Sequence, residues 1–264
     1  MSESGDEFDQ RWVDSAASPL GDVSYRRHCA DELNASGALV LRGLFTDAFV
    51  SSVLDNCAER EDEAFFAAST HNIWLTPPDE SLPTEHIFNR QIRSTKGLLA
   101  DDQVSANSAL RAVYDCADFR DFIAAVVGTQ RVFPYDDDLS SINVHFHRDG
   151  EELGWHFDNS SFAVTTLIQA PEGGGQFEYV KDLRDSANND QNFDGVAQAV
   201  DTGEGVETLP FEPGDLVLFR GRDSMHRVTP SAGSTTRILV VFAFNTQPGI
   251  GLSESAKRTF YGRS

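Results

Sequence analysis

The sequence has few cysteines and no long apolar run. Its three cysteines, Cys29, Cys57 and Cys116, are too few and too scattered for a disulfide framework or a zinc site. We therefore expect reduced, buried thiols and a cytoplasmic location. No apolar run approaches the length of a membrane-spanning helix, so we expect no membrane contact. The acidic first ten residues lack the apolar stretch of a signal peptide.

Basic residues are also scarce. Lys and Arg number 21 against 42 Asp and Glu, which gives a net charge of −21. A field of this sign opposes nucleic-acid binding, which needs basic patches. The charge favours solubility, and a second interpretation is attraction of a cationic small-molecule substrate. The oligomeric state is left open.

The chain does contain a pattern typical of a metal site. In a β-strand, residues i and i+2 point to the same face, so His156 and Asp158 can offer a nitrogen and an oxygen to one ion. His226, far downstream, supplies a third ligand. Two histidines and one carboxylate on one face of an octahedron are diagnostic of non-haem Fe(II) oxygenases. A His-x-Asp triplet alone is common by chance, so the neighbouring sequence must show whether it is a metal site.

The context supports a catalytic site. His226 follows a Pro-Gly-Asp turn and the short apolar run 216–219. Arg237 begins another apolar run, 237–244. Its guanidinium fork is suited to hold the distal carboxylate of a dicarboxylate co-substrate in a bidentate manner. We therefore interpret His156, Asp158 and His226 as metal ligands and catalytic residues, with Arg237 binding the co-substrate.

The order of these motifs resembles the Fe(II)/2-oxoglutarate-dependent dioxygenases over residues 140–247. Two motifs are similar to those of a subgroup that acts on free amino acids and includes radical halogenases and hydroxylases. They are Gly-Trp-His-Phe-Asp and Phe-Arg-Gly-Arg-Asp-Ser-Met-His-Arg-Val-Thr-Pro. The resemblance implies Fe(II), 2-oxoglutarate and O2 as cofactors, with ascorbate supporting activity in vitro. In the halogenases Gly or Ala replaces the metal carboxylate. Because Asp158 is present, the resemblance implies hydroxylation rather than halogenation.

The patterning along the chain predicts an α+β fold. Residues 1–20 are predicted as an acidic, disordered tail and 21–264 as one dioxygenase domain. Within it, residues 21–130 are mainly helical, with helices over 21–36, 46–66 (Thr46 as N-cap) and 104–127. From about 131 to 247 a period of two predicts a double-stranded β-helix, a jelly-roll or cupin-like core, on which the helices pack. Residues 248–264 form a C-terminal extension, and the polar segment 183–205 is typical of a functional lid or a mobile insertion.

Further residues are candidates for the cavity around the metal. Alternation places Asn143, His145 and His147 on one face, with Asn143 a candidate for 2-oxoglutarate and His145 for the substrate. A purely structural pair is an equal alternative. Thr229 or Thr235 is a candidate hydroxyl donor to 2-oxoglutarate. The remaining substrate candidates flank the ligands or share a neighbouring strand: Trp155, Asn159, Glu178 and Arg222.

Four functions compete at this point. The first is a 2-oxoglutarate-dependent hydroxylase of a free amino acid or similar small polar metabolite, with desaturation, cyclisation or halogenation as variants of the same chemistry. The second is a cupin-type metalloenzyme without 2-oxoglutarate, which Arg237 disfavours. The third is a non-enzymatic binding domain, which the intact ligand set disfavours. The fourth is an oxygenase of protein side chains, which the short chain disfavours.

Overall fold

The computed structural model describes residues 9–264. Within them the helices are α1 (Val23–Ser36), α2 (Asp47–Ala58), α3 (Ala109–Tyr114), α4 (Ala117–Val127), α5 (Phe193–Thr202) and α6 (Glu254–Tyr261). The strands are β1 (Ala38–Leu41), β2 (Phe65–His71), β3 (Ile92–Leu99), β4 (Ile142–His147), β5 (Leu153–His156), β6 (Ala163–Gln169), β7 (Gly173–Gly174), β8 (Phe177–Val180), β9 (Glu207–Leu209), β10 (Leu216–Phe219), β11 (Met225–Val228), β12 (Ser231–Ala232) and β13 (Arg237–Phe242).

Eleven of these strands form one curled antiparallel sheet. Their order is β1-β10-β6-β13-β4-β3-β5-β11-β8-β9, and β2 also pairs with β3. Strands β7 and β12 form a separate short pair. The many crossovers between distant strands are typical of a jelly roll, so the predicted α+β fold with a double-stranded β-helix core is confirmed.

Alternation along the strands separates an apolar face from a polar face. Ile238 and Val240 of β13 join the main hydrophobic core together with Val144 and Phe146 of β4. Helices α1 to α4 cover this face of the sheet with their own apolar residues. The alternate positions of β4 and β13 therefore lie on the opposite, inner face, where Arg237 pairs in register with His147.

The helix boundaries follow from local capping. Thr46 is the N-cap of α2, as predicted, because its side chain accepts a hydrogen bond from the backbone N–H of Phe49. Gly128, in the left-handed region at φ 82°, ends α4. The predicted helix over 46–66 is too long, since α2 ends at Ala58 and β2 begins at Phe65.

The N-terminal segment corrects a prediction. Residues 1–8 lie outside the described part of the chain. Residues 9–20, predicted as part of a disordered tail, pack onto the domain. Val13 and Leu20 are buried, and Val13 forms a β-bridge with Phe45. Their apolar side chains give this acidic segment enough buried surface to be ordered.

The polar segment 183–205 contains helix α5, which the composition did not predict. Val196 and Ala199 of this helix are buried in a second hydrophobic cluster with Trp74 and Phe157. The segment is therefore anchored behind strand β5 rather than lying loose on the surface. Between residues 9 and 264, none of the helices combines the length and apolar composition that a membrane-spanning helix requires.

Candidate metal centre

Three predicted ligands converge on the inner face of the sheet. His226 of β11 lies directly opposite His156 of β5 in the antiparallel register. Asp158 follows β5, and its Oδ1 lies 3.7 Å from His156 Nε2 and 3.6 Å from His226 Nε2. One ligand atom from each residue falls within 4.8 Å of the others. The three residues therefore surround a space of the size that one metal ion occupies.

Hydrogen bonds orient both imidazole rings. His156 Nδ1 lies 2.8 Å from the carbonyl oxygen of Gly154, and His226 Nδ1 lies 3.1 Å from that of Ser224. Because a carbonyl only accepts, each Nδ1 carries the proton and each Nε2 keeps its lone pair for a metal. Burial lowers the pKa of His156 well below its ordinary value, and the neighbouring His226 acts in the same direction. The ring of His156 is thus prepared as a neutral candidate ligand.

Asp158 is held by a close backbone approach. Its N–H donates to the carbonyl of Gly221 at 2.9 Å. A Cβ atom placed on Gly221 would lie 1.9 Å from Asp158 Oδ2. Glycine is therefore needed at position 221 for the carboxylate to reach its place. Asp158 Oδ2 is buried and has no hydrogen-bond partner, an arrangement that a bound cation would satisfy.

Arg237 is a buried cation without a counter-ion among residues 9–264. Arg237 is 1% exposed, and its Nε donates a hydrogen bond to the carbonyl of Gly175 at 3.1 Å. Its Nη1 is buried and unpartnered, and no carboxylate of residues 9–264 lies within 4 Å of the guanidinium. Burial lowers the pKa of Arg237 to about 10. An unpaired buried charge is unfavourable, so this site calls for an anion.

Two further unpartnered groups lie beside Arg237. Both ring nitrogens of the buried His147, opposite Arg237 in the register, have no hydrogen-bond partner. The hydroxyl of Ser231 is also buried and unpartnered. Ser231 Oγ and Arg237 Cδ both contact Gly175, a glycine at φ 61°, where an added Cβ would lie 3.3 Å and 2.9 Å from them. The three side chains together offer donors for one carboxylate.

Lys96 of β3 links this basic pocket to the ligands. Its Nζ lies 3.5 Å from His145 Nδ1. Burial lowers the pKa of Lys96 to about 8, and the negative charge of Asp158 opposes that shift. Lys96 in turn is among the charges that depress the pKa values of His145, His147 and His156, after burial itself. The inner face is therefore strongly basic around one carboxylate.

The three residues predicted to assist 2-oxoglutarate binding have other partners. Asn143 shares the inner face, but its Nδ2 donates to the carbonyl of Ser140 and its Oδ1 accepts from the hydroxyl of Tyr261 on α6. The hydroxyl oxygen of Thr229 accepts from the N–H of Gln176 at 2.9 Å. Thr235 donates to Glu172 on the surface. The unpartnered hydroxyl beside Arg237 belongs to Ser231 instead.

The predicted substrate residues lie in three different places. Trp155 and Glu178 lie on the outer face: Trp155 is buried in the second cluster, and Glu178 forms an ion pair with Arg227 at 2.7 Å. These two are not brought to the metal side. His145 lies on the inner face beside Lys96. Asn159 and Arg222 lie on the surface next to the candidate ligands, where Arg222 donates a hydrogen bond to the carbonyl of Asn159 at 2.8 Å.

Sequence reasoning missed several residues of the site. The sequence analysis predicts no role in the site for Lys96, Ser231 or Gly221. A signal exists for Lys96, because alternation along residues 92–99 places it on one face with Leu98. Tyr135 was missed as well. Burial is the main cause that raises its pKa, and the charges of Asp137 and Asp158 add to it. Tyr135 lies in irregular chain, for which no periodic pattern exists.

The fold and the site together define a jelly-roll protein with a His-Asp-His cluster that could hold a metal ion, next to a basic pocket. Comparison with known protein families matches residues 85–258 to the family described as Halogenase D. This match covers well over half of the chain, and the protein therefore belongs to that family. The resemblance to the Fe(II)/2-oxoglutarate oxygenases is confirmed at the level of the superfamily.

Solved structures share the fold at low sequence identity. A 2OG-Fe(II) oxygenase family oxidoreductase from Burkholderia pseudomallei is 12% identical, with a TM-score of 0.53 over 86% of this chain and 93% of that one. The carbocyclase SnoK from nogalamycin biosynthesis is 12% identical, with a TM-score of 0.57 over 88% and 89%. HygX from Streptomyces hygroscopicus, with nickel, 2-oxoglutarate and hygromycin B bound, is 14% identical, with a TM-score of 0.53 over 86% and 90%. No curated protein sequence matches this chain.

Proposed function

We propose that the protein is an Fe(II)/2-oxoglutarate-dependent oxygenase that hydroxylates a free amino acid or a similar small polar metabolite in the cytoplasm. One observation carries the proposal. Among residues 9–264 the buried Arg237 has no carboxylate partner, and it shares the inner face with three residues that could hold a metal ion. A dicarboxylate that chelates the metal at one end and meets a guanidinium at the other satisfies both features.

The chain's own residues hold and orient the cofactors. His156, Asp158 and His226 would hold the iron and leave three coordination positions open. Iron with 2-oxoglutarate and O2 supplies the oxidation of a C–H bond, with release of succinate and CO2. The Nδ1 hydrogen bonds fix the rings so that only Nε2 faces the ion.

The basic pocket would position the co-substrate. Arg237 offers a fork to its distal carboxylate, and Ser231 and His147 offer further hydrogen bonds. Lys96 adds a positive charge between this pocket and Asp158. An anion that enters meets donors already in place and displaces no internal ion pair, which favours binding.

The carboxylate of Asp158 favours hydroxylation over halogenation, although the family is described as Halogenase D. It fills the position that the similar halogenases leave free for chloride, and Gly221 provides the space that it needs. The position of Asp158 Oδ1, 3.7 Å from His156 Nε2 and 3.6 Å from His226 Nε2, supports a role as a metal ligand. We therefore expect a hydroxylated product even in concentrated chloride.

Succinate release tests the proposal. The native protein with Fe(II), 2-oxoglutarate, ascorbate and O2 should form succinate, and His226→Ala should abolish it while the fold survives. Mass spectrometry of the product in concentrated chloride tests the type of reaction. Full activity of His226→Ala contradicts the metal assignment, and a chlorinated main product from the native protein contradicts hydroxylation.

A further inference from the structure

Arg184, in the segment between β8 and α5, is a cation without a complete set of partners. Its side chain is 11% exposed, although arginines usually reach solvent. Its Nε donates to the carbonyl of Arg222 at 2.7 Å. Asp223 Oδ1 lies 3.8 Å from the same Nε, which is too long for a hydrogen bond. Within residues 9–264, neither terminal nitrogen of Arg184 has a hydrogen-bond partner.

The position of Arg184 relates it to the metal centre. Its guanidinium carbon lies 4.2 Å from the ring centroid of Phe157, the residue between His156 and Asp158. Burial lowers the pKa of Arg184, and the charges of Asp223 and Asp158 oppose that shift. The guanidinium therefore packs over the residue between two of the candidate ligands, and within residues 9–264 its terminal nitrogens are available to another group.

Arg184 also borders open space. A surface cavity of about 430 Å³ is lined by this residue and its neighbours Asp182, Leu183, Asp185, Asp190, Asn192 and Asp223. A molecule that enters from solvent can thus reach the guanidinium. Aspartates crowd this cavity, yet none of them takes the bidentate position on Arg184. The fork is left free for an external carboxylate.

We propose that Arg184 binds a carboxylate of the substrate and makes the enzyme specific for carboxylate-bearing small molecules. The inference rests on the proposed function and deepens it. Arg237 takes the co-substrate on the inner face, and Arg184 takes the substrate from the side of the segment 181–192. The role is one of positioning and specificity: a carboxylate fixed here sets which carbon of the substrate faces the metal.

The experiment compares acids with their amides. A panel of free amino acids and the matching amino-acid amides is offered to the native protein with Fe(II) and 2-oxoglutarate, and succinate and the hydroxylated product are measured. The acid of a pair should stimulate turnover, and its amide should need a concentration on the order of 100-fold higher. Arg184→Gln should raise the KM for the acid by a similar factor and leave the KM for 2-oxoglutarate unchanged.

The amide series separates recognition from damage to the fold. If Arg184 reads the carboxylate, Arg184→Gln weakens only the acids, so that acid and amide become alike; a merely structural loss weakens both equally. Arg184→Lys should restore part of the preference, because it keeps the charge and loses the fork. Arg220→Gln is the matched control, since Arg220 lies in the neighbouring turn and donates to Asn34.

Each other outcome is decisive. Equal use of acids and amides by the native protein, an unchanged KM in Arg184→Gln, or stimulation by no acid in the panel overturns this inference. Succinate formation that persists without substrate in any of these cases leaves the proposed function standing. Absence of all succinate formation, with or without a panel member, overturns the proposed function itself.

Discussion

A single methyl group at position 221 should disable the metal centre while the fold remains. A Cβ on Gly221 would lie 1.9 Å from Asp158 Oδ2 and 2.7 Å from its Cγ, whereas real Cβ contacts stay above 3.0 Å. The carboxylate must therefore move by about 1 Å or more. A displacement of this size in a catalytic constellation reduces turnover roughly 100-fold. Gly221 does not have a positive φ, so the effect of Gly221→Ala is steric and not one of backbone strain.

The assay combines metal binding with unfolding. Calorimetric titration with Ni²⁺ or anaerobic Fe(II) should show a marked loss of affinity in Gly221→Ala, while thermal unfolding without metal stays close to that of the native protein. Gly173→Ala is the control, because its nearest neighbour, the Cβ of Ala232, lies at an ordinary 3.7 Å. The same methyl would lie 2.9 Å from His226 Cε1, so Gly221→Ala should still reduce metal affinity in an Asp158→Ala background, but by less than in the native protein, because no carboxylate is left to displace.

Two results would refute this reasoning. Native metal affinity in Gly221→Ala would mean that Asp158 is not a ligand or that its position is soft. A loss of affinity in the Asp158→Ala background as large as that in the native protein would mean that the methyl acts mainly on His226 or the backbone and not on the carboxylate.

Three further predictions follow from buried charges and thiols. Arg237→Ala should raise the 2-oxoglutarate requirement by about two orders of magnitude, since losing one partner of a buried pair costs about 3–5 kcal/mol; an unchanged requirement would assign another cation. With the pKa of Lys96 at about 8, its charge is present below that pH and lost above it, so the 2-oxoglutarate requirement should rise above pH 8 in the native protein but not in Lys96→Arg; parallel profiles would exclude Lys96. Burial raises the pKa of Cys57 to about 12 and that of Cys29 to about 11, so a thiol reagent at pH 8 should modify them only on unfolding, and rapid labelling of the folded protein would contradict their burial.

The cluster of His156, Asp158 and His226, whose role as metal ligands stays a prediction, could be recognised in the sequence because its signals are local. His156 and Asp158 share a face through the period of two, and the turn before β10 marks the approach to His226. The same period correctly grouped His145 and His147, which pair with Leu239 and Arg237. The jelly-roll core followed from the change of period after about residue 131.

Other parts of the site depend on contacts between distant segments. Lys96 belongs to the site because β3 lies beside β4 in the sheet, and local periodicity does not specify strand order. Glu178 lies between the aromatic residues Phe177 and Tyr179, and this pattern does not tell which face of β8 points to the inside of the sheet. The ion pair of Glu178 with Arg227 depends on the pairing of β8 with β11, which local sequence does not specify. Helix α5 was not predicted because the polar segment that contains it has too few apolar residues to show a helical pattern.

The central claim is tested most directly by a crystal structure after anaerobic soaking with Fe(II) and 2-oxoglutarate. We predict one ion bound by His156 Nε2, a carboxylate oxygen of Asp158 and His226 Nε2. We further predict 2-oxoglutarate chelating that ion, with its distal carboxylate on Arg237 and Ser231. An ion at any other place, or 2-oxoglutarate that leaves the Arg237 guanidinium without a carboxylate, would contradict the account.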